Sequence, residues 1–166
     1  MKFFSTSVVA ACLGLLLATP ALAIDAGQAA PDIELANGTA KQKLSGLKGK
    51  VVYVDFWASW CGPCRQSFPW MNEMQSKYGA QGLQIVGVNL DAKQADADQF
   101  LASLPARFTV AFDAKGESAK RFEVKGMPTS VLIGADGKVL AVHQGFKDED
   151  RKVLEAKFAS ALAAVK

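Results

Sequence analysis

Cys61 and Cys64 are the residues whose type and spacing could do chemistry directly. A bridge between cysteines three apart closes almost no loop, so it would stabilise the fold little. The pair is therefore there for reactivity. Gly62-Pro63 separates the two cysteines, between the apolar run Val51 to Trp57 and a segment with helical patterning. A helix N-terminus offers unpaired backbone N–H groups and the positive end of the helix dipole, and both favour a thiolate. The thiolate is the form that attacks a disulfide. Cys61 is thus expected to be the exposed nucleophile. Cys64, one turn into the helix and facing inward, is expected to resolve the mixed disulfide. Half a zinc site is the competing reading, but structural zinc wants four ligands. Once Cys12 is set aside, the chain offers only Cys61, Cys64 and His143 as thiol or imidazole ligands. No metal is expected, and His143 reads as an ordinary strand residue.

Cys12 is set aside because residues 1–23 read as a signal peptide. Lys2 supplies a positive start, Val8 to Ala18 an apolar stretch, and Ala21-Leu22-Ala23 a small-x-small cleavage site. Two other readings stay open: a retained anchor over Phe3 to Ala23, and a lipoprotein lipidated at Cys12. The remainder, residues 24–166, is long enough for one domain with one proper core. The net charge is +3, falling to +2 when Lys2 is lost, and the charges are scattered. That pattern excludes the basic runs expected of a nucleic-acid binder.

The elements that must position the cysteines follow from local pattern. Asn37-Gly38 between two short runs, Ile33 to Leu35 and Lys41 to Leu44, predicts an N-terminal hairpin. Val51 to Trp57 predicts a strand buried on both faces, with Asp55 as its polar exception. Phe68, Met71, Met74 or Gln75, and Tyr78 form one face of a helix stopped by Gly79. Leu83 to Leu90 predicts a second buried strand, and Asp91 the start of a helix ending near Pro105. Phe108 to Phe112 predicts a strand and Glu117 to Phe122 a short helix. Thr129 to Ile133 and Val139 to Gln144 flank the turn signal Asp136-Gly137, and Leu154, Phe158 and Leu162 mark a terminal helix. After the hairpin the order is β-α-β-α-β-α-β-β-α. It implies an α/β three-layer fold, with a central mixed sheet, parallel in its first part, and helices on both faces.

The segment Val54-Asp55-Phe56-Trp57-Ala58-Ser59-Trp60-Cys61-Gly62-Pro63-Cys64-Arg65 resembles the active-site segment of thioredoxin. Pro69 matches that family's helix-kinking proline, and Gly126-Met127-Pro128-Thr129 resembles its cis-proline loop. The leader, the N-terminal hairpin, and the extra helix and strand between Asp91 and Asp113 resemble the exported TlpA/ResA/CcmG-type branch of the thioredoxin superfamily. So does Phe68-Pro69-Trp70-Met71-Asn72.

The resemblance implies a thioredoxin-like fold and a set of roles. Pro128 would follow a cis peptide bond and face Cys61. Met127 and Thr129 would border the substrate strand, and Trp60, Gly62 and Pro63 would line the contact surface. Asp55 would accept a proton from Cys64, its alternative being a buried structural acid. Trp60 would shield the site and Trp57 pack beneath it. Two departures stand out. Gly87 occupies the position where thioredoxin carries a lysine that pairs with its aspartate. Asp91 stands where several relatives carry a functional glutamate; it is either a substitute for that residue or a helix N-cap.

The implied activity is that of an exported disulfide reductase with no cofactor beyond the redox-active Cys61–Cys64 pair. It would act in the periplasm as a monomer and be recharged by a membrane thiol donor of the DsbD/CcdA type. Protein disulfides, as in apocytochrome c or copper-site proteins, would be the substrates. A Cu(I) carrier using Cys61, Cys64 and Met127, and a general disulfide isomerase, are the alternatives. The residues before Cys61 lack the Pro-x-x-x-Thr-x-x-Cys setting of a peroxiredoxin, which argues against peroxidase activity.

Overall fold

The computed structural model describes residues 24–165. The leader reading and Cys12 lie outside the described residues. The chain runs β1 (Glu34–Asn37), β2 (Ala40–Lys43), β3 (Val51–Trp57), α1 (Gly62–Tyr78), β4 (Leu83–Asn89), α2 (Gln94–Ser103), β5 (Thr109–Phe112), α3 (Glu117–Arg121), β6 (Thr129–Ile133), β7 (Val139–Gln144) and α4 (Asp150–Ala163). The predicted order is therefore observed, with the N-terminal hairpin in place.

β3 is central because every one of its residues is buried, which only an interior strand covered on both faces allows. The five-stranded sheet has the order β5-β4-β3-β6-β7. β4 runs parallel to β3 and to β5, whereas β6 runs antiparallel to β3 and β7 to β6. Alternation along β3 divides the core in two. Val51, Tyr53 and Trp57 pack with Phe68, Met71 and Met74 of α1, Phe100 of α2 and Phe158 of α4. Val52, Val54 and Phe56 face the other way, towards Phe122 just beyond α3 and towards Ile33, Leu35, Leu44 and Leu47 of the N-terminal region. Asn37 Nδ2 donates to Val110 O at 3.2 Å, fastening the hairpin beside β5 and covering that edge of the sheet.

Two boundaries differ from expectation. α1 does end at Tyr78, but Gly79 is right-handed (φ −57°), and a short 3-10 turn carries the chain to Gly82 (φ +104°). The left-handed stop therefore falls three residues late. Gln75 explains the delay: its side chain accepts from Ile85 N (2.7 Å) and donates to Leu83 O (3.1 Å). It thereby satisfies β4 where β5 does not yet reach. The second difference is at Asp91, which does not open or cap α2. The residue before that helix is Lys93, and it makes no side-chain cap. Asp91 is buried and turned away from the helix start.

Candidate active site

The loop between β3 and α1 carries the cysteines. Trp57 ends β3, and Cys61 N donates to Ala58 O (3.1 Å), which turns the chain sharply into the helix. Cys61 is the N-cap of α1 in extended conformation, and its Sγ accepts the backbone N–H of Cys64 at 3.2 Å. Pro63 sits in the first turn, where its missing N–H costs nothing. The two sulfurs are joined, S–S 2.01 Å, with Cα atoms 5.3 Å apart. The sulfur of Cys61 thus occupies the place where a helix stabilises negative charge, as its position predicts.

The expected exposure of Cys61 needs correcting. Cys61 is 5% exposed and Cys64 0%. With the disulfide closed both sulfurs join the core, leaving only a sliver of Cys61 at the surface. Trp60 is 73% exposed. It sits directly before Cys61 in the loop and turns most of its apolar surface to solvent. Gly62 and Pro63 are also exposed. Trp57 packs beneath, its ring 4.8 Å from Phe68 and 4.9 Å from Phe100, and Arg65 stacks its guanidinium over Phe100 at 4.5 Å.

The second loop reaches the same end of the sheet from β6. Met127–Pro128 is a cis peptide bond. Pro128 O accepts Gly145 N at 2.8 Å, tying the loop to the end of β7, and Thr129 Oγ1 donates to Gly126 O at 2.6 Å. Met127 is half-buried and packs against the core that holds both cysteines.

Asp55 lies on the face of β3 that α1 covers, in register with Gly87 of β4 and Ser130 of β6. Burial pushes its carboxyl well above the usual range, and Oδ2 has no hydrogen-bond partner. The reason for glycine at position 87 is visible. A Cβ there would come within 3.0 Å of Trp57 Nε1 and of Phe108, so the indole fills the space a larger side chain would need.

Sequence reasoning missed Ser59 and Asn89. The buried carboxyl of Asp91 accepts Ser59 N (2.9 Å), Ser59 Oγ (2.9 Å) and Asn89 Nδ2 (2.7 Å), while Asp91 N donates to Asn89 Oδ1 (3.0 Å). This is why α2 starts late: the carboxyl clamps the cysteine loop, two residues before Cys61, to the end of β4. The signal was an asparagine inside an otherwise apolar strand. Replacing Asp91 with alanine orphans a half-buried N–H and a fully buried amide, and should cost about 3 kcal/mol. Thermal melts of the oxidised protein check this, with Asp91→Asn expected to fall between the parent and the alanine variant; an unchanged Asp91→Ala melt would remove the clamp.

No helix among the described residues is long and apolar enough to cross a membrane, and no group of three or more His, Cys, Asp or Glu among them is placed to hold a metal ion.

With this geometry in view, the comparisons with known proteins are direct. The family model described as Redoxin matches residues 25–158. The thiol-disulfide oxidoreductase ResA of Bacillus subtilis is 35% identical over 127 residues, covering 76% of this chain and 71% of the relative. ResA of Oceanobacillus iheyensis is 35% identical over 130 residues, covering 75% and 68%. Among solved structures, a candidate thiol:disulfide interchange protein DsbE from Chlorobium tepidum is 59% identical, with a TM-score of 0.82, covering 84% of this chain and 99% of its own. The chain belongs to the Redoxin family, as a ResA/CcmG-like thiol–disulfide oxidoreductase of the thioredoxin superfamily.

Proposed function

We propose that this oxidoreductase works as a reductant of protein disulfides in the periplasm, after loss of residues 1–23, and that it serves cytochrome c maturation or metal-site assembly. The observation that carries the direction is the cap at Cys61. Its Sγ takes one backbone N–H, from Cys64, and only Gly62-Pro63 lies between the cysteines. The dipeptide brings no side-chain donor or charge that would stabilise the thiolate further. A thiolate stabilised no further than this makes a poor leaving group, so the reduced form is the stronger electron donor.

Trp60, Gly62, Pro63 and Met127 form the contact surface, the buried Thr129 holds the loop from behind through Gly126 O instead of lining it as expected, and an extended substrate segment pairs with the backbone beside Pro128. Cys61 attacks, Cys64 resolves, and Asp55 takes the proton from Cys64. Recharging comes from a membrane dithiol of the DsbD/CcdA type.

Equilibration with glutathione tests the direction. A potential near that of thioredoxin, about −270 mV, is expected, and one near that of DsbA, about −120 mV, would sink the reading. A value near −180 mV, roughly that of protein disulfide isomerase, would favour an isomerase. Pro63→His should raise the potential by adding a donor or charge next to the Cys61 thiolate. A variant as reducing as the parent would break the link between the dipeptide and the direction of transfer.

A further inference from the structure

One row of the central sheet is polar where the rows beside it are apolar. Asp55 of β3 is in register with Ser130 of β6, and Ser130 with His143 of β7. Directly opposed residues on antiparallel strands share a face, with Cβ atoms roughly 4.5–5.5 Å apart. The next row on that face is Tyr53, Leu132 and Ala141, which pack into the core under α1 and α4. Asp55, Ser130 and His143 therefore point into the same layer, side by side, from buried centre to sheet edge. Asp55 and Ser130 are buried, whereas the His143 side chain is 24% exposed.

Three further observations mark this row as more than a run of structural polar residues. Asp55 Oδ2 and His143 Nε2, at its two ends, are both buried atoms without a well-aligned hydrogen bond. His143 Nε2 lies 3.4 Å from Asp150 Oδ2 at the start of α4. The Tyr53 phenol, held up by burial, is raised further by the charges of Asp55 and Asp150 and lowered by Ser130. The polar groups of the row thus lie within electrostatic reach of one phenol.

The chemistry supplies a use. When Cys64 resolves a mixed disulfide, its thiol proton goes to Asp55. Its Sγ then bonds to Sγ of Cys61, the bond from Cys61 to the substrate sulfur breaks, and the substrate thiolate leaves with the electron pair. Asp55 is then protonated in a place water does not reach, and until that proton leaves, the substrate thiolate can attack Cys61 again while Asp55 hands the proton back to the departing Cys64. On the β4 side its neighbour is Gly87, walled by the Trp57 indole and Phe108. On the β6 side stand a hydroxyl and then an imidazole. We propose that Ser130 and His143 form the proton exit of Asp55: the Ser130 hydroxyl accepts the proton and passes its own to the His143 imidazole, which becomes an imidazolium against Asp150. This rests on the reductase reading above. His143 acts through Asp55 and does not touch substrate; it is a positioning residue for the proton.

The groups facing His143 are Asp150 and Lys157 from α4, Ser130 from β6, and Tyr53 and Asp55 from β3. Stopped-flow reduction of a fluorogenic disulfide peptide by the full chain at pH 7.5 reads this step. Formation of the mixed disulfide, read in a Cys64→Ala background, isolates the first step. His143→Gln should slow peptide release about tenfold at pH 7.5, less than the roughly 10²–10⁴-fold of a group that takes the reacting proton directly, because His143 acts through Asp55. It should leave the first step unchanged. Ser130→Ala, which cannot pass a proton, should slow release equally, and it decides the matter if His143→Gln does not fold. Release rates equal to the parent's, or both steps falling in proportion, overturn the relay while the reductase reading stands. A parent that reduces no peptide removes the reductase reading and the relay together.

Discussion

Replacing Cys64 with alanine is expected to cut turnover of disulfide substrates by on the order of 10³-fold while leaving the first attack by Cys61 intact. The asymmetry follows from the helix start. Cys61 Sγ takes the N–H of residue 64 through the backbone, so that hydrogen bond survives the substitution. What is lost is the inward thiol that breaks the mixed disulfide. Substrates should therefore accumulate as covalent adducts on Cys61, visible as higher bands on non-reducing gels and released by added thiol. Insulin reduction measures the loss of turnover, and mass spectrometry of the trapped adducts identifies the natural partners. Cys61→Ser should give no adducts. Adducts on the serine variant would reverse the roles of the two cysteines.

The second large effect concerns Asp55, where stability and activity should move in opposite directions. Burial alone raises its carboxyl pKa. The folded state therefore holds the proton to higher pH than the unfolded chain does. Between the unfolded value, about 3.9 for an aspartate, and the folded one, the native state binds more protons, and stability falls as pH rises. Asp55→Asn removes the group that titrates. At pH 7.5 the oxidised variant should be more stable by about 2 kcal/mol, the cost of a buried and poorly partnered charge. The melting temperature should rise by roughly 5–10 °C. Below about pH 4 the parent carboxyl is protonated in both states and the gap should close. Resolution by Cys64 should slow in the same variant, because its proton acceptor is gone. A variant less stable than the parent at pH 7.5, or a gap that does not change with pH, would show that Asp55 is satisfied in a way its unpartnered Oδ2 does not suggest.

The parts of the site that sit on one continuous stretch of chain were legible from residue types. Val51 to Trp57 is apolar and β-branched enough to be a central strand, and Cys61 to Cys64 follows at the spacing that puts one sulfur at a helix start. The paired turn signals Asn37-Gly38 and Asp136-Gly137 each gave the hairpin they predict. Errors clustered where a side chain had a distant partner. Asp91 has the residue type of a helix cap, yet its carboxyl finds Ser59 on another loop, and the helix begins only after Lys93. Gly79 looks like a stop, but Gln75 reaches β4 and the chain turns later, at Gly82.

The sequence by itself determined the chemistry of the pair, the order of the elements and the faces that α1 and α4 bury. These depend on periodicity and on residues within a turn or two of one another. Tertiary structure alone decided how deeply the sulfurs lie, that Trp60 is turned to solvent, and that Gly87 makes room for the indole of Trp57. It also decided that Asp55, Ser130 and His143 form one row. Strand register sets that row, and register is the outcome of packing a whole face, which no local run of residues encodes.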